Sequence, residues 1–220
     1  MAPNTKNPVM GGERRKRNRQ PMMSSAGDST IIKYSALGAS LITEGTLGGT
    51  AHTRYYIPGF NGTLANSAGP QITSYYSTGK FLPGTKIRWE PSVSFTTPGR
   101  VLVGFTDNPE VAYNIQLLII AFLATPNSNT LSAYLNAIRG LGSVTSFPVW
   151  QETDVTFPTK LRRKRFDTNS TVTNLADQYD RSMQTVMFAG VEGGPSASTS
   201  LGGFWYHDVV EVEGVQPTIT

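Results

Sequence analysis

The sequence predicts an all-β sandwich of roughly eight antiparallel strands, with one or two short helices in its connections and a disordered basic arm in front. Three observations carry this. Short runs alternate apolar and polar residues with the period of two that a half-buried strand requires. Gly (22) and Pro (14) punctuate the 220 residues, high for a helical protein and usual for strands joined by turns. Charge is segregated: residues 1–30 hold six basic residues and two acids, whereas residues 31–220 hold thirteen of each.

The leading segment comes first in the chain. All 22 aromatic residues fall after residue 30, and the larger apolar side chains before it are Val9 and four Met. Such a stretch cannot bury enough surface to offset the entropy of ordering, so residues 1–30 are expected as a disordered arm. Residues 31–220 are expected as one globular body, a length ample for a packed core.

Within the body, strands are expected at about 31–43 and 52–57, followed by a Ser/Thr/Gly/Asn-rich loop over 61–79. From Lys86 to Phe95 the pattern places Ile87, Trp89, Val93 and Phe95 on one face and Lys86, Arg88, Glu90, Ser92 and Ser94 on the other. Pro91 within that run argues for an edge position or a bulge. Thr97-Pro98-Gly99 marks a turn before a strand over Arg100–Phe105. Asn108 as cap and Pro109 in the first turn open a helix from Glu110 to about Leu123. The run over 115–123 is so apolar that a buried strand fits it equally. Leu131, Tyr134, Leu135 and Ile138 fit a second helix, with Thr130 as cap and Gly140 past the end. Alternation resumes from Val149 to Phe157, and further strands are expected at 161–167, 183–191 and 203–213, with a loop over 193–203.

Composition excludes several function classes. The absence of Cys removes disulfide scaffolds, thiolate zinc sites and cysteine nucleophiles. His52 and His207 are the only histidines, too few for a multi-histidine metal centre, and both read as structural. No Ser–His–acid arrangement or phosphate-binding loop is present, so no catalytic residue is assigned and the protein is not expected to be an enzyme. The longest apolar run, Leu117 to Ala124, is too short to span a bilayer, and no membrane partner is expected.

The order of features resembles a known family. The run FLPGTKIRWEPSVSFTTPGRVLVGFTDNPE, then a helix, SFPVWQETDVTFP, KLRRKRF, MQTVMFAGVEGG and GGFWYHDVVEVEG, is similar to the shell domain of tombusvirus, necrovirus and sobemovirus capsid proteins. Related coats of some small circular-DNA viruses share it. The resemblance covers about 31–215 and the Arg-rich arm adds to it. It implies the eight-stranded viral jelly roll and a coat protein that self-assembles into an icosahedral shell around a genome. That genome is RNA in preference to single-stranded DNA, and the location is the virion and, during assembly, the host cell interior. Many tombusvirus coats continue into a protruding domain where this sequence ends, at Thr220, so a bare shell is expected. The competing class is a lectin-like or cytokine-like sandwich whose basic arm serves heparin binding or nuclear targeting.

Two basic clusters and one acidic pair are the candidate sites. Arg14, Arg15, Lys16, Arg17 and Arg19 put five cations in six positions. They suit sequence-independent phosphate binding through counterion release, or a solvated or nuclear-targeting patch. No aromatic residue interleaves them, which argues against base stacking. Lys160, Arg162, Arg163, Lys164 and Arg165 form a second cluster, read either as a charged guard on an edge strand or as genome contacts of one parity. Asp107 and Glu110 flank Asn108-Pro109; the resemblance implies calcium between subunits there, while D-N-P-E is also a good helix start. Calcium takes six to eight oxygens, so a neighbouring subunit would have to add ligands, with the acidic stretch Asp208–Glu213 or the C-terminal carboxylate as candidates.

Overall fold

The computed structural model describes residues 29–56, 76–158, 166–167 and 185–215. Its strands are β1 (Thr30–Ile42), β2 (Thr50–Tyr56), β3 (Tyr76–Phe81), β4 (Lys86–Pro91), β5 (Arg100–Thr106), β6 (Val144–Pro148), β7 (Thr153–Thr156), β8 (Phe166–Asp167), β9 (Thr185–Glu192) and β10 (Ser200–Val215). Helices α1 (Pro109–Ala124) and α2 (Ser128–Arg139) fill the connection from β5 to β6.

One edge of β10 pairs with β1, and the other pairs first with β4 (Gly202–His207) and then with β3 (Val210–Val215). β3 and β4 act as one strand with a bulge. Across it Leu82 donates to the Val209 carbonyl at 2.8 Å, and the Val209 amide donates to Thr85 Oγ1 at 3.3 Å. β7 and β8 follow along the outer edge of that composite strand. Merging the two pairs leaves eight strands, in the order first-eighth-third-sixth in one sheet and second-seventh-fourth-fifth (β2-β9-β5-β6) in the other, with every pairing antiparallel. This is a jelly roll.

The core between the sheets takes alternate residues from each. Val101, Val103 and Phe105 of β5 and Met187, Ala189 and Val191 of β9 meet Ile87 and Trp89 of β4 and Phe204, Tyr206, Val210 and Val212 of β10. Trp89 is fully buried, lies 5.0 Å from the Phe204 ring, and donates from Nε1 to the Val149 carbonyl at 2.9 Å. The opposite parity of β5 and β9 (Leu102, Val186, Phe188) packs under Ala112, Ile115, Ile119 and Phe122 of α1 and Leu131, Tyr134, Leu135 and Ile138 of α2. The central strands of the second sheet, β5 and β9, are therefore buried on both faces. A Cβ on Gly190 would stand 2.5 Å from Leu135 Cδ2, so glycine there is what lets α2 approach the sheet. The Tyr134 hydroxyl anchors the contact, donating to the carbonyls of His52 at 2.7 Å or Ala189 at 3.0 Å.

Several expectations are corrected. The strand expected over 86–95 ends at Pro91, opposite Gly202, and Phe95 is 78% exposed instead of buried. One further rung forms, Ser92 N donating to the Leu201 carbonyl at 2.9 Å, and beyond it only Val93 still packs on the core. The alternation from Val149 to Phe157 is not one strand. β6 ends at Pro148, a turn closed by Gln151 N donating to the Pro148 carbonyl carries the chain to the other sheet, and β7 begins at Thr153. Alternation survives because Val149, Val155 and Phe157 all face the core from either side of the crossing. β3 occupies the end of the expected 61–79 loop, and β10 starts at Ser200 inside the expected 193–203 loop. Apolar residues over 115–123 are helical, and α2 is capped by Asn127, whose side chain accepts from Thr130 N at 3.0 Å while Thr130 Oγ1 accepts from Asn127 N at 3.2 Å. Thr130 is thus the third residue of a capping box, not the cap.

Candidate assembly surfaces and ion half-site

β5 runs out of the second sheet at Thr106, and the next four residues turn into α1. Asn108 Oδ1 accepts from the amides of Glu110 at 3.0 Å and Val111 at 3.4 Å, so the helix start read from the sequence forms. Asp107 is left half-buried at the strand end and Glu110 exposed in the first turn, where its charge favours the helix dipole. Among the described residues no third His, Asp or Glu joins them. One chain thus offers two carboxylates, at most four oxygens, short of a complete calcium shell.

The acidic stretch expected to complete such a site from a neighbour is strand β10. Asp208 faces the core and is 1% exposed, so it is not available to another subunit. Glu211 faces outward and lies 4.0 Å from Lys80. Arg14, Arg15, Lys16, Arg17 and Arg19, and likewise Lys160, Arg162, Arg163, Lys164 and Arg165, lie outside the described residues.

The β4–β7 part of the first sheet's outward face is polar and largely self-neutralised, whereas β1 exposes Ile31, Leu37 and Ile42. Arg88 of β4 donates from Nε to Asp154 of β7 at 3.0 Å and reaches Glu152 at 3.2 Å. That hydrogen bond holds the Asp154 carboxyl below its ordinary range and raises the Arg88 guanidinium further. With Lys86 and His207 these residues line an open hollow of about 380 Å³. His207 Nδ1 lies 2.7 Å from Ser35 Oγ across the β1–β10 pairing. His52 stacks at 6.4 Å on Phe204, with its Nε2 3.4 Å from the Tyr206 hydroxyl.

One surface went unread in the sequence. On α1, Leu117 (45%), Ile120 (49%) and Leu123 (63%) are exposed, with Ala121 and Ala124 exposed beside them. The signal was present, since 117–124 is apolar without interruption. An uninterrupted apolar run marks a helix or a buried strand but does not say which side stays open.

No protein-family model and no curated protein matches the chain. Solved structures do. A tobacco necrosis virus chain superposes with a TM-score of 0.62 at 16% identity, covering 87% of this chain and 98% of that one. A chain of the semi-empty virus-like particle of giant freshwater prawn (Macrobrachium rosenbergii) nodavirus gives 0.61 at 11%, covering 98% and 97%. This chain has the fold of virus-particle proteins. A cucumber leaf spot virus chain gives 0.61 at 18%, covering 88% of this chain but 59% of that longer one. At these identities the likeness is one of fold, and it agrees with the jelly roll that the sequence resemblance implied.

Proposed function

We propose that the chain is a capsid protein, a structural subunit that self-assembles into an icosahedral shell and resides in the virion. It is not an enzyme. The observation that carries this reading is a jelly roll matched over nearly the full length of both the tobacco necrosis virus and the prawn nodavirus chains. The structures named above are all viral, which does not favour the lectin-like or cytokine-like alternative. A closed shell repeats one chain by symmetry, so its own surface must be its partner.

Genome packaging belongs to the proposal through the sequence. Arg14, Arg15, Lys16, Arg17 and Arg19 bring five cations per arm, a weak binder singly. Many arms facing one enclosed polyanion act through effective concentration, with steep salt dependence and little base preference. Lys160, Arg162, Arg163, Lys164 and Arg165 supply further phosphate contacts. RNA in preference to single-stranded DNA is the proposed cargo, on the resemblance alone, and host cells are where assembly occurs. Calcium enters as an interfacial ion, held by Asp107 and Glu110 together with oxygens of a second subunit.

The test is expression of residues 1–220 and electron microscopy of the product. Discrete spherical particles of one size are expected, and a monomer at every concentration would overturn the reading. A chain lacking residues 1–19 should still assemble yet lose most of its nucleic acid; unchanged cargo refutes the arm assignment. Chelation with EDTA should loosen wild-type particles and leave D107N/E110Q particles, if formed, indifferent.

A further inference from the structure

α1 and α2 are neighbours on the same sheet, yet they treat their outward sides differently. α2 exposes Asn129, Ser132, Ala133, Asn136 and Arg139, the polar side expected of an amphipathic surface helix. α1 buries Ala112, Ile115, Ile119 and Phe122 and turns Leu117, Ile120, Ala121 and Ala124 outward, at the i, i+3, i+4, i+7 spacing of a single face, with Leu123 beside them. Three large apolar side chains at 45–63% exposure on one helix form a contiguous patch, not scattered surface residues.

The charge pattern around the patch selects its occupant. Between Arg100 and Arg139 there is no Lys or Arg, and the acids in that interval are Asp107 and Glu110, both at the entry to α1. A nucleic acid needs cations, and a helix lying on a lipid surface carries Lys or Arg along its polar side. Neither requirement is met here. An uncharged apolar face can instead meet a copy of itself or of its own chain without setting like charges together, and depletion of charge marks the core of a protein interface. We infer that the outward face of α1, centred on Leu117, Ile120 and Leu123, is buried against a second copy of this chain. This rests on the shell-forming reading and names one surface that does the work. Because Asp107 and Glu110 begin the same helix, the contact carries the ion half-site to its rim.

The chain has no cysteine, so Ile120→Cys introduces a single maleimide-reactive group. Its labelling should be at least ten-fold slower in assembled particles than in subunits dissociated by high salt. In parallel, Leu123→Glu should lower particle yield at least ten-fold while the far-UV circular dichroism and unfolding midpoint of the subunit stay unchanged. Equal labelling in particles and subunits overturns the inference. So does slow labelling already in the lone subunit, which assigns the patch to the chain's own residues, and so does protection by phosphatidylcholine vesicles in place of assembly, which assigns it to a membrane. If the wild type makes no particles but self-associates in sedimentation, and Leu123→Glu abolishes that association, the capsid reading fails and this inference stands. A wild type that is monomeric throughout sinks both.

Discussion

The two sheets of the sandwich are built from the same strand geometry but face different neighbours. In the second sheet β9 reads TVMFAGVE and is buried at every residue but the last, because one parity meets the other sheet and the opposite parity meets α1 and α2. In the first sheet β4 reads KIRWEP and alternates, with Ile87 and Trp89 inside and Lys86, Arg88 and Glu90 outside. The contrast separates two kinds of residue. On β5 and β9 of the covered sheet nearly every substitution acts on packing; on the open sheet the outward parity is free to carry charge at little cost to the fold. Across β4 and β7 the open sheet neutralises its own charges, as Arg88 does with Asp154 and Glu152, although β1 exposes Ile31 and Leu37. The helical layer over the covered sheet leaves apolar surface bare along one uncharged helix face. The surface that looks most buried from its sequence is thus the one that ends in an unfinished face.

This contrast can be broken most forcefully at Phe188, which is fully buried between the second sheet and the helices. Phe188→Ala should destabilise the dissociated subunit by about 3–5 kcal/mol in urea unfolding, since transfer and cavity terms add. A loss of a few tenths would mean that the helices do not pack tightly there. Next in size is Gly190→Val, which forces atoms against Leu135 and Tyr134 and should cost about 1–3 kcal/mol by overpacking. If α2 can lift away, the variant will keep its stability and instead expose the Tyr134 hydroxyl, a change visible in tyrosine absorbance.

The smallest effect belongs to the open sheet. Asp154 is held below its ordinary range by the Arg88 hydrogen bond, so its contribution is present above the unfolded-state pKa and fades as pH falls through the folded one. The pair is solvent-exposed and screened, so Asp154→Asn should lower the unfolding midpoint only slightly at pH 7. The difference from wild type should vanish toward acid. A difference that grows on acidification would place the stabilising charge elsewhere.

Much of the fold was legible because period-two burial writes itself into residues such as Ile87, Trp89, Val101 and Val103. Cap chemistry at Asn108 was equally local, and α1 starts where Asp-Asn-Pro-Glu says it should. The expected single strand over 149–157 differs from the structure for a specific reason. Val149, Val155 and Phe157 alternate as though in one strand, but the chain changes sheets among them, and facing a common core from either side produces the same pattern. Of the candidate site, Asp107 and Glu110 lie where the spacing put them, but Asp208 does not. Acidity alone did not tell that β10 turns Asp208 toward the core; the signal was its parity, shared with Phe204, Tyr206, Val210 and Val212.

By itself, then, the sequence determined the class of fold, the segregation of the net positive charge into its first thirty residues and the exclusion of cysteine and multi-histidine chemistry, all consequences of composition and of periods a few residues long. Only the tertiary structure decided which sheet is covered twice, that β3 and β4 make one bulged strand, and that Leu117, Ile120 and Leu123 remain open after α1 has docked. The physical reason is that an apolar side chain records the need for burial, whereas the surface that buries it is supplied by residues far away in the chain or, on the reading proposed here, by another molecule.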